Sequence, residues 1–206
     1  MMCQWFTTIP GALRRARVPT TWMAATYLLG VTVGAVMVHH GNAFALHRSD
    51  SLVNVETASS PVSAAMRRGL PLRAAFLDFA GNLLLGAVPS TVMGISVALP
   101  FPLAAYRGWI GGIVSVDGKH RSRLRPSRER WYYLVVVLLQ LLPYTLAGGT
   151  GIRLGLAFLR PASPFGYPGS SRWMGLPAEG VLDVLRIYTL VIPLFLVASV
   201  IEFLAR

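Results

Sequence analysis

Six ionisable side chains fall inside or at the edges of long apolar runs: Asp78, Arg107, Arg153, Asp183, Arg186 and Glu202. A charge near the middle of a bilayer is costly, so such residues either hold helices in register by pairing or line a path for a proton or an anionic solute. Asp78 paired with Arg107 or Arg153 would do the first. A hydrated cavity holding Asp78, Asn82, Arg107 and Arg153 together would do the second. Asp183 and Arg186 are three apart, and Glu202 is four before Arg206, spacings at which helical side chains meet. Catalysis has little to build on. The chain carries no HExxH, GxSxG, Walker A or GxGxxG motif and no paired acids at metal-ligand spacing. Ser90 with Asp78 is the only nucleophile and base the apolar runs offer. His39, His40 and His47 have no carboxylate or cysteine beside them at ligand spacing. Cys3, the one cysteine, excludes an internal disulfide. The expectation is a protein that is not an enzyme and uses no cofactor or metal.

The elements that must position these residues are apolar. The 206 residues are 54% hydrophobic and only 13% charged, with a mean hydropathy of +0.56, the composition of a multi-pass membrane protein. The formal charge of +11 would point a soluble domain toward nucleic acid. In an apolar chain without a recognition motif it points to basic loops facing anionic lipid. A basic segment, residues 1–20 with Arg14, Arg15 and Arg17, precedes a first transmembrane helix at 21–38. Ala43-Phe44-Ala45 also has the form of a signal-peptide cleavage site, but the run is long for a signal core and reads as a retained anchor. A polar loop, 39–73, follows, with a short interfacial helix expected over 66–72. Further spans fall near 74–99, 101–116, 131–159 and 181–204, with a loop at 160–180.

Along 74–99 the residues Asp78, Asn82, Gly86, Ser90 and Gly94 recur every four positions, a stripe suited to face other helices rather than lipid. Pro89 interrupts this run. Residues 101–116 carry Arg107, Gly108 and Gly112 and are short for a crossing, so they form either a tilted helix packed on the second run or a re-entrant element. Pro143 and the cluster Gly148-Gly149-Thr150-Gly151 predict a kinked or broken helix in 131–159, which also holds Gln140, Arg153 and Gly155. The fold class is an all-α membrane protein, a polytopic helical bundle of four to five transmembrane helices, some broken or re-entrant at Pro and Gly. The basic loop 117–130 is assigned to the cytoplasm by the positive-inside rule. Five crossings put that loop and the amino terminus on opposite sides, and four put them on the same side.

Four segments, taken in order, resemble the stage II sporulation protein M family of multi-pass membrane proteins. They are Phe76-Leu77-Asp78-Phe79-Ala80-Gly81-Asn82, Tyr106-Arg107-Gly108-Trp109-Ile110-Gly111-Gly112, Gly149-Thr150-Gly151-Ile152-Arg153-Leu154-Gly155, and the stretch from Val191 to a late Glu202. Arg107 stands where the family has asparagine, the family's Pro-His-Gly is absent, and Gln140-Leu141 takes the place of its Glu-Leu. The resemblance covers 74–204 and implies a non-enzymatic component of a membrane assembly in the bacterial cytoplasmic membrane, linked to cell-envelope and peptidoglycan remodelling. The partners implied are membrane lipids and other membrane or envelope proteins, with a homo-oligomer among the forms allowed and no nucleic acid. The alternative is a transporter or lipid-handling permease built on the broken helices, with Arg107 or Arg153 contacting an anionic substrate.

Overall fold

A computed structural model describes residues 2–162 and 164–204, without the side chains of residues 2–7 and 53–59. It is an all-α membrane helical bundle. Among the described residues four helices are long and apolar enough to cross a membrane: Thr8–His39, Pro71–Gly94, Ser127–Leu159 and Ala178–Leu204.

The first is part of α1 (Met2–His39), which runs through Pro10 and Pro19 without a break. The expected division between a basic segment 1–20 and a helix 21–38 is therefore corrected. Ala12 and Ala16 are buried in the main core with Ala87, Tyr144, Ala147, Ile187, Val191 and Phe195. Tertiary packing thus carries the helix well upstream of the apolar run. A cut after Ala45 would strip these side chains from the core.

The polar loop expected over 39–73 is largely helical. Asn42 caps α2 (Ala43–Ser59) by accepting from the Ala45 amide at 3.1 Å. Ser60 caps α3 (Pro61–Arg67) through the Val62 amide. Gly69, at φ 68°, then turns the chain, so the interfacial helix expected over 66–72 ends at Arg67 instead.

From Pro71 the chain runs as one rod: α4 (Pro71–Ala80), a π-helical segment (Gly81–Ala87) and α5 (Val88–Gly94). The span expected over 74–99 is shifted to 71–94. Pro89 does not interrupt it, because the helix widens just ahead: the Val88 amide reaches the Leu83 carbonyl, five residues back. This wider turn is a familiar helical defect and one that relieves the crowding a proline ring causes. The real break comes at residues 95–99, where Val97 adopts φ 68°.

Pro100 opens α6 (Pro100–Ile113), at the position where its missing amide costs nothing. Its 14 residues give about 21 Å, short of a hydrocarbon core of roughly 30 Å. It packs on α1 rather than on the second run. Gly30 and Gly34 of α1 sit against the backbone of Ala105, Trp109 and Ile113, and Gly108 and Gly112 of α6 sit against that of Tyr27, Val31 and Ala35. Rising numbers meet rising numbers, so the two helices are parallel.

The helix α7 (Ser127–Leu159) is continuous through Pro143 and the glycine cluster, so of the kinked or broken helix expected there the broken form is corrected. Its glycines serve close approach: Gly149 faces Thr20, Gly151 faces the Thr91 backbone, and Gly155 faces the carbonyls of Gly94 and Ile95. The loop after it folds into a small hairpin, β1 (Arg172–Trp173) with β2 (Leu176–Pro177), turned by Met174 and Gly175 at positive φ. The last helix, α8 (Ala178–Leu204), starts three residues earlier than the span expected from 181. It runs antiparallel to α7, with Tyr144 meeting Phe195 edge to face at 4.9 Å.

These pairings define two ends. One holds the start of α8 and the Arg15 level of α1. The other holds the end of α1 and the loop 117–130, where His39 Nε2 and Ser122 Oγ are 2.8 Å apart. Because α6 carries the chain from the first end toward the second, Arg14, Arg15 and Arg17 lie at the opposite end of the bundle from the basic loop.

Candidate functional site

The polar residues of the bundle gather into two separate networks. The first is ionic. Arg15 grips Asp183 with two bonds, Nε to Oδ2 and Nη2 to Oδ1, both 2.6 Å, the planar fork that matches a carboxylate. Arg186 Nη1 donates to Asp183 Oδ1 at 2.9 Å and to Glu179 Oε1 at 2.6 Å. The spacing of three expected to join Asp183 and Arg186 does so. The Tyr167 hydroxyl, from the loop after α7, donates to Asp183 Oδ2 at 2.8 Å. Burial pushes the Tyr167 phenol above its usual range, and the Asp183 carboxylate adds to the shift, so the hydroxyl stays protonated and able to donate.

Arg153 completes this cluster without an ion pair of its own among the described residues. It is 3% exposed and sits 4.6 Å from the Tyr167 ring and 5.6 Å from the Phe165 ring, cation–π contacts that offset part of its desolvation. Its Nη2 reaches the Gly166 carbonyl at 3.5 Å, while Nε and Nη1 have no hydrogen-bond partner among the described residues. Three guanidinium groups thus face two carboxylates.

The second network is a chain of uncharged donors around one carboxyl group. Asp78 Oδ2 accepts from Ser199 Oγ at 2.7 Å and from Asn82 Nδ2 at 3.0 Å, and the Tyr144 hydroxyl donates to Asn82 Oδ1 at 2.5 Å. Arg107 lies over the Tyr144 ring at 4.2 Å, with Nε buried and unpartnered. Gly86 leaves the room that Tyr144 and Arg107 occupy, since a Cβ there would lie 2.7 Å from the tyrosine ring. The helices bring these groups together because the stripe Asp78, Asn82, Gly86, Ser90 and Gly94 faces α7 and α8, as its period implied.

Several expectations are corrected by this geometry. Asp78 pairs with neither Arg107 nor Arg153; small polar side chains on its own and a neighbouring helix take its oxygen instead. Arg153 belongs to the other network, so the four residues of the expected cavity are not gathered. Ser90 and Asp78 do not meet: they are three helical turns apart on one stripe, and Ser90 is buried toward Gly148. Gln140 Nε2 reaches Glu202 Oε2 at 3.4 Å, and the Tyr132 hydroxyl donates to the Glu202 carbonyl at 3.2 Å. The expected pair of Glu202 with Arg206 lies outside the described residues. Gly108, Gly112, Gly151 and Gly155 are packing positions between helices.

Sequence reasoning missed Arg15, Tyr167 and the pair Gly30 and Gly34. The glycine pair was legible as a small-xxx-small motif on α1 matching Gly108 and Gly112. Arg15 carried no local sign of its partner, 168 positions away. No family model, no curated protein and no solved structure matches the chain.

Proposed function

We propose that the chain is a non-catalytic multi-pass scaffold, or a subunit of a membrane complex, of the kind its resemblance to the stage II sporulation protein M family implies. On this reading it belongs to the bacterial cytoplasmic membrane and takes part in cell-envelope remodelling through partner proteins. The observation that carries the reading is how far the polar groups of the spanning helices satisfy one another. Asp183, Asp78 and Asn82 all hydrogen-bond within the bundle, and glycine seams bring the helix backbones into contact. Meanwhile the rod from Pro71 to Gly94 turns Leu72, Phe76, Leu85 and Val92 outward, all 60% exposed or more, an apolar face for lipid or a partner helix. The basic loop 117–130 is assigned to the cytoplasm by its charge.

A second reading, a permease for an anionic solute, is favoured by Arg107 Nε and by Arg153 Nε and Nη1, which are buried and have no hydrogen-bond partner among the described residues. Crosslinking in native membranes, followed by affinity recovery in mild detergent and mass spectrometry, separates the two. Stoichiometric recovery of a wall hydrolase or another membrane subunit supports the scaffold. Recovery of the chain alone with a bound anionic solute, lost on Arg107→Ala or Arg153→Ala, supports the permease.

A further inference from the structure

The tight seam between α1 and α6 has an outer side. Gly30 and Ala105 bring the two backbones into contact, so a trough opens above them, walled by Leu29 and Val33 of α1 and by Tyr106 and Trp109 of α6. Its volume is about 350 Å³, within the range of sites that hold small molecules. The walls offer nothing polar. The Thr26 hydroxyl donates back to the Trp22 carbonyl at 2.9 Å, and Trp109 Nε1 donates to Met37 Sδ at 3.3 Å.

The rim is different. The α2 helix lies across α6, stacking Phe44 on Trp109 at 5.7 Å and bringing Arg48 Nη2 to the Tyr106 hydroxyl at 3.1 Å. The other bond of that guanidinium is to Ser51 Oγ at 3.4 Å. Among the described residues no carboxylate pairs with Arg48. A half-buried cation without a counter-charge among the described residues therefore stands at the mouth of an apolar trough.

We infer that this trough binds an anionic membrane phospholipid, with one acyl chain along Leu29, Val33 and Trp109 and the headgroup phosphate on Arg48. The charge complementarity is that of a guanidinium with a phosphate. A transmembrane helix from a second copy fits less well. Close helix pairing relies on small residues, and Gly30, Gly34, Gly108 and Gly112 are already consumed between α1 and α6. The inference stands whether or not the scaffold reading does.

The test is native mass spectrometry of the full chain in mild detergent, titrated with phosphatidylglycerol or with phosphatidylcholine. The expected result is one retained phosphatidylglycerol, bound about tenfold more tightly than phosphatidylcholine. Arg48→Gln should lower that affinity about tenfold, and Val33→Phe, which fills the trough from an exposed position, should abolish retention. Arg128→Gln, in the basic loop, should leave it unchanged. Leu29→Phe repeats the filling test should Val33→Phe prove unstable. Equal retention of the two lipids, loss only in Arg128→Gln, or a lipid-free dimer that Val33→Phe separates would each overturn the inference.

Discussion

The two polar networks solve the same problem in opposite ways. Around Asp183 the bundle places full charges against full charges, and the carboxylate accepts from three side chains on three segments. Around Asp78 it uses a serine and an asparagine, with Tyr144 locking the asparagine in turn. The first arrangement ties α1 and the loop after α7 to the start of α8; the second ties α4 to α7 and α8. Removing a partner from a buried ion network strands a charge, whereas removing one from a chain of neutral donors strands only a dipole. The ionic network should therefore be the more fragile to substitution even though it is not thereby the more stabilising.

The largest effect should come from Asp183→Ala. It leaves Arg15 and Arg186 sharing only the part-exposed Glu179 and Arg153 with the central carboxylate gone. A fully buried pair broken on one side costs about 3–5 kcal/mol, and the solvent around Arg15 and the remaining Glu179 hold the loss to the lower end of that range. Thermal unfolding in mild detergent should show it as failure to accumulate or a steep drop in midpoint. Arg15→Ala should cost clearly less, because Asp183 keeps Arg186 and Tyr167. Equal losses for the two variants would mean that Arg15 carries the whole network.

Next in size is Tyr144→Phe. It keeps the ring against Phe195 and beneath Arg107 but leaves Asn82 Oδ1 without its donor. Hydrogen bonds between membrane helices are worth about 0.6 kcal/mol on average and up to about 1.7, so the midpoint should fall by an amount in that range. If Tyr144→Phe were as damaging as Asp183→Ala, the contrast between the networks would collapse.

How much of this was legible follows from where each signal lay. The stripe through Asp78, Asn82, Gly86, Ser90 and Gly94 was readable because a period near four is local, and so was the pairing of Asp183 with Arg186. Arg15 read only as part of the basic segment 1–20 because its partner lies on the last helix. The glycine cluster of α7, with Pro143, read as a kink or a break because glycine weakens a helix in isolation. In the bundle its missing side chains admit Thr20, Thr91 and Ile95 instead, and packing outweighs propensity. The helices α2 and α3 were missed for a related reason: their composition is polar, and what marks them are the caps Asn42 and Ser60.

The smallest effect, and the sharpest control, is the same ion pair placed in water. Asp117 accepts the Arg121 and Lys119 amides and pairs with the Arg121 guanidinium at 2.8 Å in the loop between α6 and α7. The Arg121 amide above all, with its side chain and the Lys119 amide, lowers the Asp117 carboxyl to about 2. A carboxyl lowered on folding stabilises the turn above its unfolded value of about 4. That contribution is lost as the pH falls through about 2. Carbon-detected titration of Asp117 in micelles should give a midpoint well below 4, and Asp117→Asn should leave the neutral-pH unfolding midpoint nearly unchanged, as exposed pairs contribute little. A midpoint near 4 would remove the turn as a control. A large loss in Asp117→Asn would show that solvent exposure does not set the difference between an Arg–Asp pair here and the one between Arg15 and Asp183.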